Sequence, residues 1–286
     1  SQHITDHLKI ADKQGTSRSS TFLDSCRKFN NGELHENELL ESTVRYGFVN
    51  VIDAFHIVGQ EEIPVKFYID ERKEHDGIRI TDEFENLISS SQASALPHET
   101  ESRWRLVETA WEMGVSRSLI SIQHEPEGNL LFAQMVNNRR RPVTGSREAL
   151  NGYQKGKCFY CGSNIDAGNE GIRAVEVDHF FPHVLKHFDF GPFIDGIWNL
   201  VLACSSCNRG THGKFARVPS LPLLERLHRR NEYLINSHHP LRETLIQQTG
   251  KTEHKRTRFL NEMYNQARSI LIHTWSPDSE SIQNFL

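Results

Sequence analysis

The stretch "EVDHFFPH", residues 176–183, sets Asp178 directly before His179 at what reads as the end of a strand, and Pro182 closes the run. Histidine titrates near neutrality and can take a proton from water. A neighbouring carboxylate is a hard ligand suited to Mg2+ or Mn2+. The plainer alternative is a structural pair that caps the strand. Adjacent residues on a regular strand face opposite ways, so the two side chains converge on one reactant only if the strand twists or ends there. Glu176 shares the strand face of Asp178, as a supporting group or as an ordinary strand charge. His183, just after the proline, reads as packing beside the site before it reads as a reacting group.

Four of the five cysteines form a second chemical set, "CFYC" at 158–161 and "CSSC" at 204–207, with 42 residues between the pairs. Each pair presents two sulfurs from one tight knuckle, and two knuckles complete a tetrahedral four-thiolate site for structural Zn2+. Disulfides and a redox pair are the competing readings. An intracellular setting disfavours the first, and redox pairs do not usually come doubled. A zinc ion closed by Cys158, Cys161, Cys204 and Cys207 keeps no open position for water, so it would staple loops and do no chemistry. The remaining Cys26, in a helical region, reads as a small core residue.

The two sets interleave. The order is CxxC, then DHxxP at 178–182, then NLxxxCxxCN from Asn199 to Asn208. That string resembles the HNH endonuclease family, with its ββα-metal fold, over roughly residues 146–215. The resemblance implies that His179 is the general base and that Asp178 ligates the catalytic Mg2+ or Mn2+. It implies that Asn199 fixes the loop and the histidine, and that Asn208, on the short helix, is the last metal-binding position. Asn in that final place departs from the three-letter family name and is similar to the HNH domains of CRISPR effector nucleases. His212, four residues on, would share a helix face with Asn208 and be a third ligand as in colicin-type members, or else an exposed histidine.

The formal net charge of -4 is unevenly spread. Residues 1–101 carry 10 Lys and Arg against 19 Asp and Glu, and residues 102–286 carry 23 against 18. The second part is therefore the one suited to a polyanion. Within it, Arg209, Lys214 and the cluster Arg139, Arg140 and Arg141 are candidate nucleic-acid contacts, with solvated linker charge as the alternative for the triplet. Such contacts bind phosphate regardless of sequence and weaken with salt.

Around these residues the chain must supply the scaffold. Apolar residues at helical spacing (Val44, Phe48, Val51, Ile52, Phe55) predict helices over about 22–58. "IPVKFYIDERKEHDGIRITDEF" and "LISIQHEPEGNLLFAQ" predict hairpins, and "RWRLVETAWEM" predicts a helix stopped by Gly114. This order resembles a winged-helix or mixed α/β recognition module. "SSSQASALPHETES" and "NNRRRPVTGS" read as linkers, and Ser146 as a helix cap. The tail predicts three helices, one ending at Gly250 and the last carrying Phe259, Met263, Ala267, Ile270 and Leu271 as a core or oligomer stripe.

The expected fold is α+β: an N-terminal mixed α/β recognition or regulatory region over 1–143, and an HNH nuclease domain with a helical extension over 144–286. No apolar run approaches a membrane span and no signal peptide opens the chain, so a soluble cytoplasmic protein is expected. Expected partners are a nucleic acid, DNA first, and a protein partner in a defence complex or a second copy of the chain, with no membrane. The fusion resembles bacterial restriction and antiphage nucleases. Two alternatives stay open: a partner-activated effector subunit, and an inert zinc-stapled module that only binds nucleic acid.

Overall fold

The computed structural model describes residues 2–15, 20–49, 51–58, 60–75, 77–90, 93, 96–113, 121–125, 130–134, 140–142, 150–151, 153–165, 175–188 and 190–277. Its helices and small sheets make an α+β chain. It divides into two compact units, Ser1–Pro97 and His98–Leu286. The division falls within the Ser-rich segment, ahead of the 143/144 boundary read from sequence.

The first unit opens with α1 (Gln2–Leu8), α2 (Thr21–Asn30) and α3 (Glu36–Ser42), the last running into a π-helical turn over Thr43–Gly47. Ser20 Oγ accepts from the Leu23 amide at 3.4 Å to cap α2, and Glu38 Oε2 accepts from the His35 amide at 2.9 Å to open α3. After α4 (Val51–Ala54) comes a two-residue ribbon, β1 (Ile57–Val58) with β2 (Glu61–Glu62). The first expected hairpin is β3 (Tyr68–Glu71) against β4 (Gly77–Ile80), but its turn contains the one-turn helix α5 (Arg72–His75). Asp70 accepts from the Arg72 amide at 3.1 Å, a local bond that starts that turn. α6 (Asp82–Ser89) follows. Helices form over this stretch as expected, and Val44, Phe48, Val51 and Phe55 on it are exposed. Ala11, Cys26, Leu39 and Tyr68 are buried in their place.

In the second stretch α7 (Leu96–Met113) includes the predicted helix and takes up part of the first predicted linker. β5 (Ser121–Glu125) and β6 (Leu130–Gln134) pair as the expected hairpin, and β7 (Arg140–Pro142) adds a third antiparallel strand inside the second predicted linker. The Ser146 cap lies outside the described residues.

The site rests on a ribbon of β8 (Val175–His179) and β9 (Leu200–Cys204), antiparallel from Val175↔Cys204 to His179↔Leu200. All residues of both strands are buried, so a slip of one residue would put carboxylates where aliphatic chains now pack. Gln154 satisfies the outer edge of β9, donating to Leu202 O at 2.8 Å and accepting from Leu202 N at 2.9 Å. β9 runs into α8 (Ser205–Arg209). β10 (Val218–Pro219), α9 (Leu221–Asn236), α10 (Arg242–Thr249), α11 (Glu253–Ile270) and β11 (Thr274–Trp275) complete the described chain, with β10 and β11 parallel. Gly250, at φ 132, ends α10 as expected, and Thr252 Oγ1 caps α11. The predicted stripe of α11 joins the core: Ala267 is buried, and Phe259, Met263, Ile270 and Leu271 pack against it.

α9 carries the long-range wiring. Buried Arg230 donates to the carbonyls of Ile197, Trp198 and Leu200 at 3.3, 3.1 and 2.9 Å, and Arg226 donates to Phe159 O at 2.7 Å. Burial lowers Arg230 to about 10, which still leaves it charged at neutral pH.

The α9–α10 connection holds a titration that folding suppresses. His239 is buried, its Nδ1 accepts from the Leu241 amide at 3.1 Å, and burial depresses it from 6.5 to about 3. The unfolded chain binds this proton below about pH 6.5 and the folded chain only near pH 3. Stability from this group is therefore full above pH 6.5 and falls as pH drops through that window, by at most about 1.4 kcal/mol per pH unit. Urea midpoints measured from pH 7 to pH 3 should fall less for His239→Asn, which keeps an acceptor but cannot titrate. Equal slopes for the two proteins would locate the acid sensitivity elsewhere.

Candidate active site and metal centre

The four knuckle cysteines gather at the root of the ribbon, their sulfurs all within 4.8 Å of one another. Cys161 Sγ and Cys204 Sγ are 3.9 Å apart and no disulfide joins the set. A zinc ion bound through ~2.3 Å bonds spaces its tetrahedral sulfurs by about 3.8 Å, so the residues fit the metal. Gly162, at φ 71, closes the first knuckle by donating to Cys158 O at 3.0 Å, a backbone turn that favours glycine. The Cys204 amide donates to Cys158 Sγ at 3.3 Å and ties the knuckles together. Hydrogen bonds among the four thiols hold Cys161 and Cys204 below the usual cysteine range and push Cys158 and Cys207 above it.

At the far end of β8, Asp178 and His179 point to opposite sides and keep different company. On one side, Asp178 Oδ2 accepts from Tyr160 OH at 2.5 Å and lies 3.3 Å from Lys214 Nζ. Burial pushes Asp178 up and Lys214 down. On the other side, His179 Nε2 is 3.0 Å from Asp195 Oδ1, and the His183 ring is 5.0 Å away with Nε2 3.3 Å from the same oxygen. Lys186 Nζ donates to Asp195 Oδ2 at 2.6 Å. Burial raises Asp195, but the bonds from His179 and Lys186 outweigh it and hold the carboxyl below the usual range. Burial, then the neighbouring His179, lowers His183.

Asn199 clamps this end together. Fully buried, it accepts from Phe181 N at 2.7 Å and donates to Phe181 O at 3.0 Å and to Ile194 O at 2.8 Å. One side chain thus fixes both the segment after His179 and the residue before Asp195. Asn199→Ala should lower stability by about 3 kcal/mol, since it strands three backbone groups in the core. Chemical denaturation should show that loss; a change under about 0.5 kcal/mol would mean that the loops hold without the clamp.

No family model, curated protein or solved structure matches the chain. The site therefore rests on its own residues.

Several predicted contacts sit elsewhere than the sequence suggested. Lys214 is 1% exposed and donates to His179 O at 3.0 Å and Phe215 O at 3.1 Å, so it braces the strand end and is not a surface phosphate contact. Its burial follows from the reversal after α8, where a Cβ on Gly210 would stand 2.5 Å from Ser206 O. The same reversal removes His212 from the helix: α8 ends at Arg209, and His212 is exposed with its carbonyl accepting from Trp275 Nε1 at 2.7 Å. Asn208 Nδ2 donates to Glu176 Oε2 at 2.8 Å, and Arg209 pairs with Glu176 Oε1 at 2.6 Å while its side chain stays 69% exposed. Glu176 thus binds α8 to β8. Of the arginine triplet, Arg140 and Arg141 belong to β7 and Arg139 lies outside the described residues.

Around β8, two groups of described residues beyond the cysteines could hold a cation. Glu176 and Asp178, both buried, line one strand face beside Asn208. Their carboxylate and amide oxygens suit a hard divalent ion, which would compete with Lys214 for Asp178. His179, His183 and Asp195 offer a second set of ligand atoms within 4.8 Å of one another. Asp195, Tyr160 and Lys186 were not singled out in the sequence. Tyr160 is hidden inside a zinc knuckle, and Asp195 signals itself only by standing four residues before Asn199.

Among the described residues no helix is long and apolar enough to cross a membrane.

Proposed function

We propose that the second unit is a metal-dependent endonuclease of the HNH type, hydrolysing phosphodiester bonds in nucleic acid, DNA foremost. The observation that supports this best is that β8 ends at His179, whose ring is held there by the buried carboxylate of Asp195. The order of β8, β9 and α8, stapled by four cysteines, agrees with the ββα-metal arrangement.

In this reading His179 accepts a proton from water, whose oxygen bonds to phosphorus as the bond to the leaving oxygen breaks. Asp178 and Asn208 would hold one Mg2+ or Mn2+, which stabilises charge on the phosphate oxygens. Lys214 pairs with Asp178, and Glu176 fixes α8. Arg209, exposed at the rim, meets the phosphate backbone. The cysteines hold zinc as a staple. The first unit, net acidic, is the regulatory or recognition part, and a bacterial defence role is the biological setting we infer.

One observation favours a partner-activated form of the same enzyme. His179 is only 5% exposed, so substrate reaches it after the segment around His183–His187 shifts. Supercoiled plasmid incubated with the protein and Mg2+, Mn2+ or EDTA tests both forms. Metal-dependent nicking lost with EDTA supports the autonomous nuclease. Nicking only when a protein partner is added supports the activated form, and binding without cleavage under any condition would leave only a nucleic-acid-binding module.

A further inference from the structure

The connection between β8 and β9 gathers three ligand atoms from separate elements. His179 ends β8, His183 opens the 3-10 turn His183–His187, and Asp195 closes the 3-10 turn Gly191–Asp195. Asp195 Oδ1 lies 3.0 Å from His179 Nε2 and 3.3 Å from His183 Nε2, and the three atoms all fall within 4.8 Å of one another. A zinc-class ion with bonds of about 2.0–2.1 Å spaces tetrahedral ligands by about 3.3 Å, so both contacts to the carboxylate stand near ligand spacing. His183 Nε2 is buried and, among the described residues, has no hydrogen-bond partner. A buried polar atom in that state is uncommon, and a cation shared with Asp195 would satisfy it. The frame around the three is fixed. The Asn199 side chain holds Phe181, which lies between the two histidines, and Ile194, next to Asp195. Lys186 Nζ donates to Asp195 Oδ2 at 2.6 Å, which turns Oδ1 toward the imidazoles.

We propose that His179 Nε2, His183 Nε2 and Asp195 Oδ1 form a second metal site, separate from the four cysteines, which takes one transition-metal ion of the Zn2+ class and withdraws His179 from catalysis while the ion is bound. The site stands on its geometry, and the loss of catalysis rests on the nuclease reading. Two imidazoles with one carboxylate select Zn2+, Co2+ or Ni2+ over Mg2+, which prefers oxygen ligands. The Lys186 ammonium beside the carboxylate opposes a cation, so this site is weaker than the cysteine centre. It fills at micromolar added zinc and empties on dialysis, which leaves one zinc per chain. His183 is the outer ligand, its side chain 36% exposed against 6% for His179 and 9% for Asp195, and is the group that an entering ion meets first.

The test uses the full chain dialysed to its cysteine-bound zinc. Isothermal titration with ZnCl2 should find one further equivalent. Co2+ bound in its place should give visible d–d bands without the sulfur-to-metal charge-transfer band that thiolates produce. His183→Ala and Asp195→Asn should each weaken that equivalent by more than the roughly 10–100-fold that follows loss of a hydrogen bond to a ligand. His212→Ala, which removes an exposed histidine elsewhere, should keep it. Mg2+-supported plasmid nicking by the parent should slow as the site fills, about tenfold at nine times the zinc dissociation constant. In His183→Ala the same zinc should leave the rate as it was without zinc. No further equivalent, one whose cobalt form carries the thiolate band, or one that survives both substitutions overturns the site. Zinc that binds there while the parent nicks at its original rate overturns the withdrawal of His179. The titration needs no turnover: a chain that cuts no substrate refutes the nuclease reading and the withdrawal with it, while the binding result still decides the site.

Discussion

Cys204→Ser is expected to strip the chain of zinc and unfold the ribbon with it. Cys204 ends β9, its amide bonds to Cys158 Sγ, and its sulfur faces Cys161 across 3.9 Å. It therefore belongs to a strand and a metal site at once. Zinc bound by folded four-ligand knuckles contributes on the order of 10–16 kcal/mol, against a total stability of about 5–15 kcal/mol for an ordinary domain. Losing one thiolate removes more than the ribbon can replace, because among the described residues the two strands have no third strand beside them. Metal analysis should give one zinc per chain for the parent and none for the variant, and circular dichroism should show lost structure at 25 °C. A parent protein without zinc whose Cys204→Ser variant melts at the same temperature would remove the metal centre from the fold.

His179→Ala is expected to lower nicking by about 10²–10⁴-fold while the protein stays folded. The second half of that statement comes from the partners left behind. Asp195 keeps Lys186 at 2.6 Å and His183 at 3.3 Å, so its charge is not orphaned. Asp178→Ala is a poorer probe of chemistry. It leaves the Lys214 ammonium, 1% exposed, without its carboxylate, a loss that typically costs about 3–5 kcal/mol. Inactivity of that variant would mix unfolding with lost catalysis. Nicking rates set beside thermal melts separate the two. A folded His179→Ala protein that nicks at the parent rate would eliminate the histidine as the base.

What could be read from sequence is what depends on near neighbours. Each CxxC knuckle is set by four consecutive residues, so a four-cysteine cluster able to hold a metal was visible. β8 was bounded by Pro182, α10 by Gly250, and the apolar spacing of α11 matched its buried face. The rest depends on partners distant in the chain. Lys214 reads as a surface cation by type, and only the tight reversal after Gly210 turns it inward. Asp195 follows a loop of 3-10 turns that carries no periodic signal. In the first unit the spacing of Val44 to Phe55 suggested helices, but it did not show that a π turn follows α3 or that Val44, Phe48, Val51 and Phe55 stay exposed. The nuclease reading itself stands on the string of motifs and the strand end together.

The parallel pair of β10 and β11 sets Trp275 edge-on to Tyr160 at 5.1 Å, and Tyr160 is the residue whose hydroxyl holds Asp178. The brace behind Asp178 is thus made 97 residues later than Asp178 itself. A ribosome adding about 5–20 residues per second takes roughly 5–20 s to cover that distance. During translation the knuckles, the histidine and its carboxylate emerge well before their last support does. A nascent chain therefore spends those seconds with Asp178 and Tyr160 already made and the aromatic backing from Trp275 still to come.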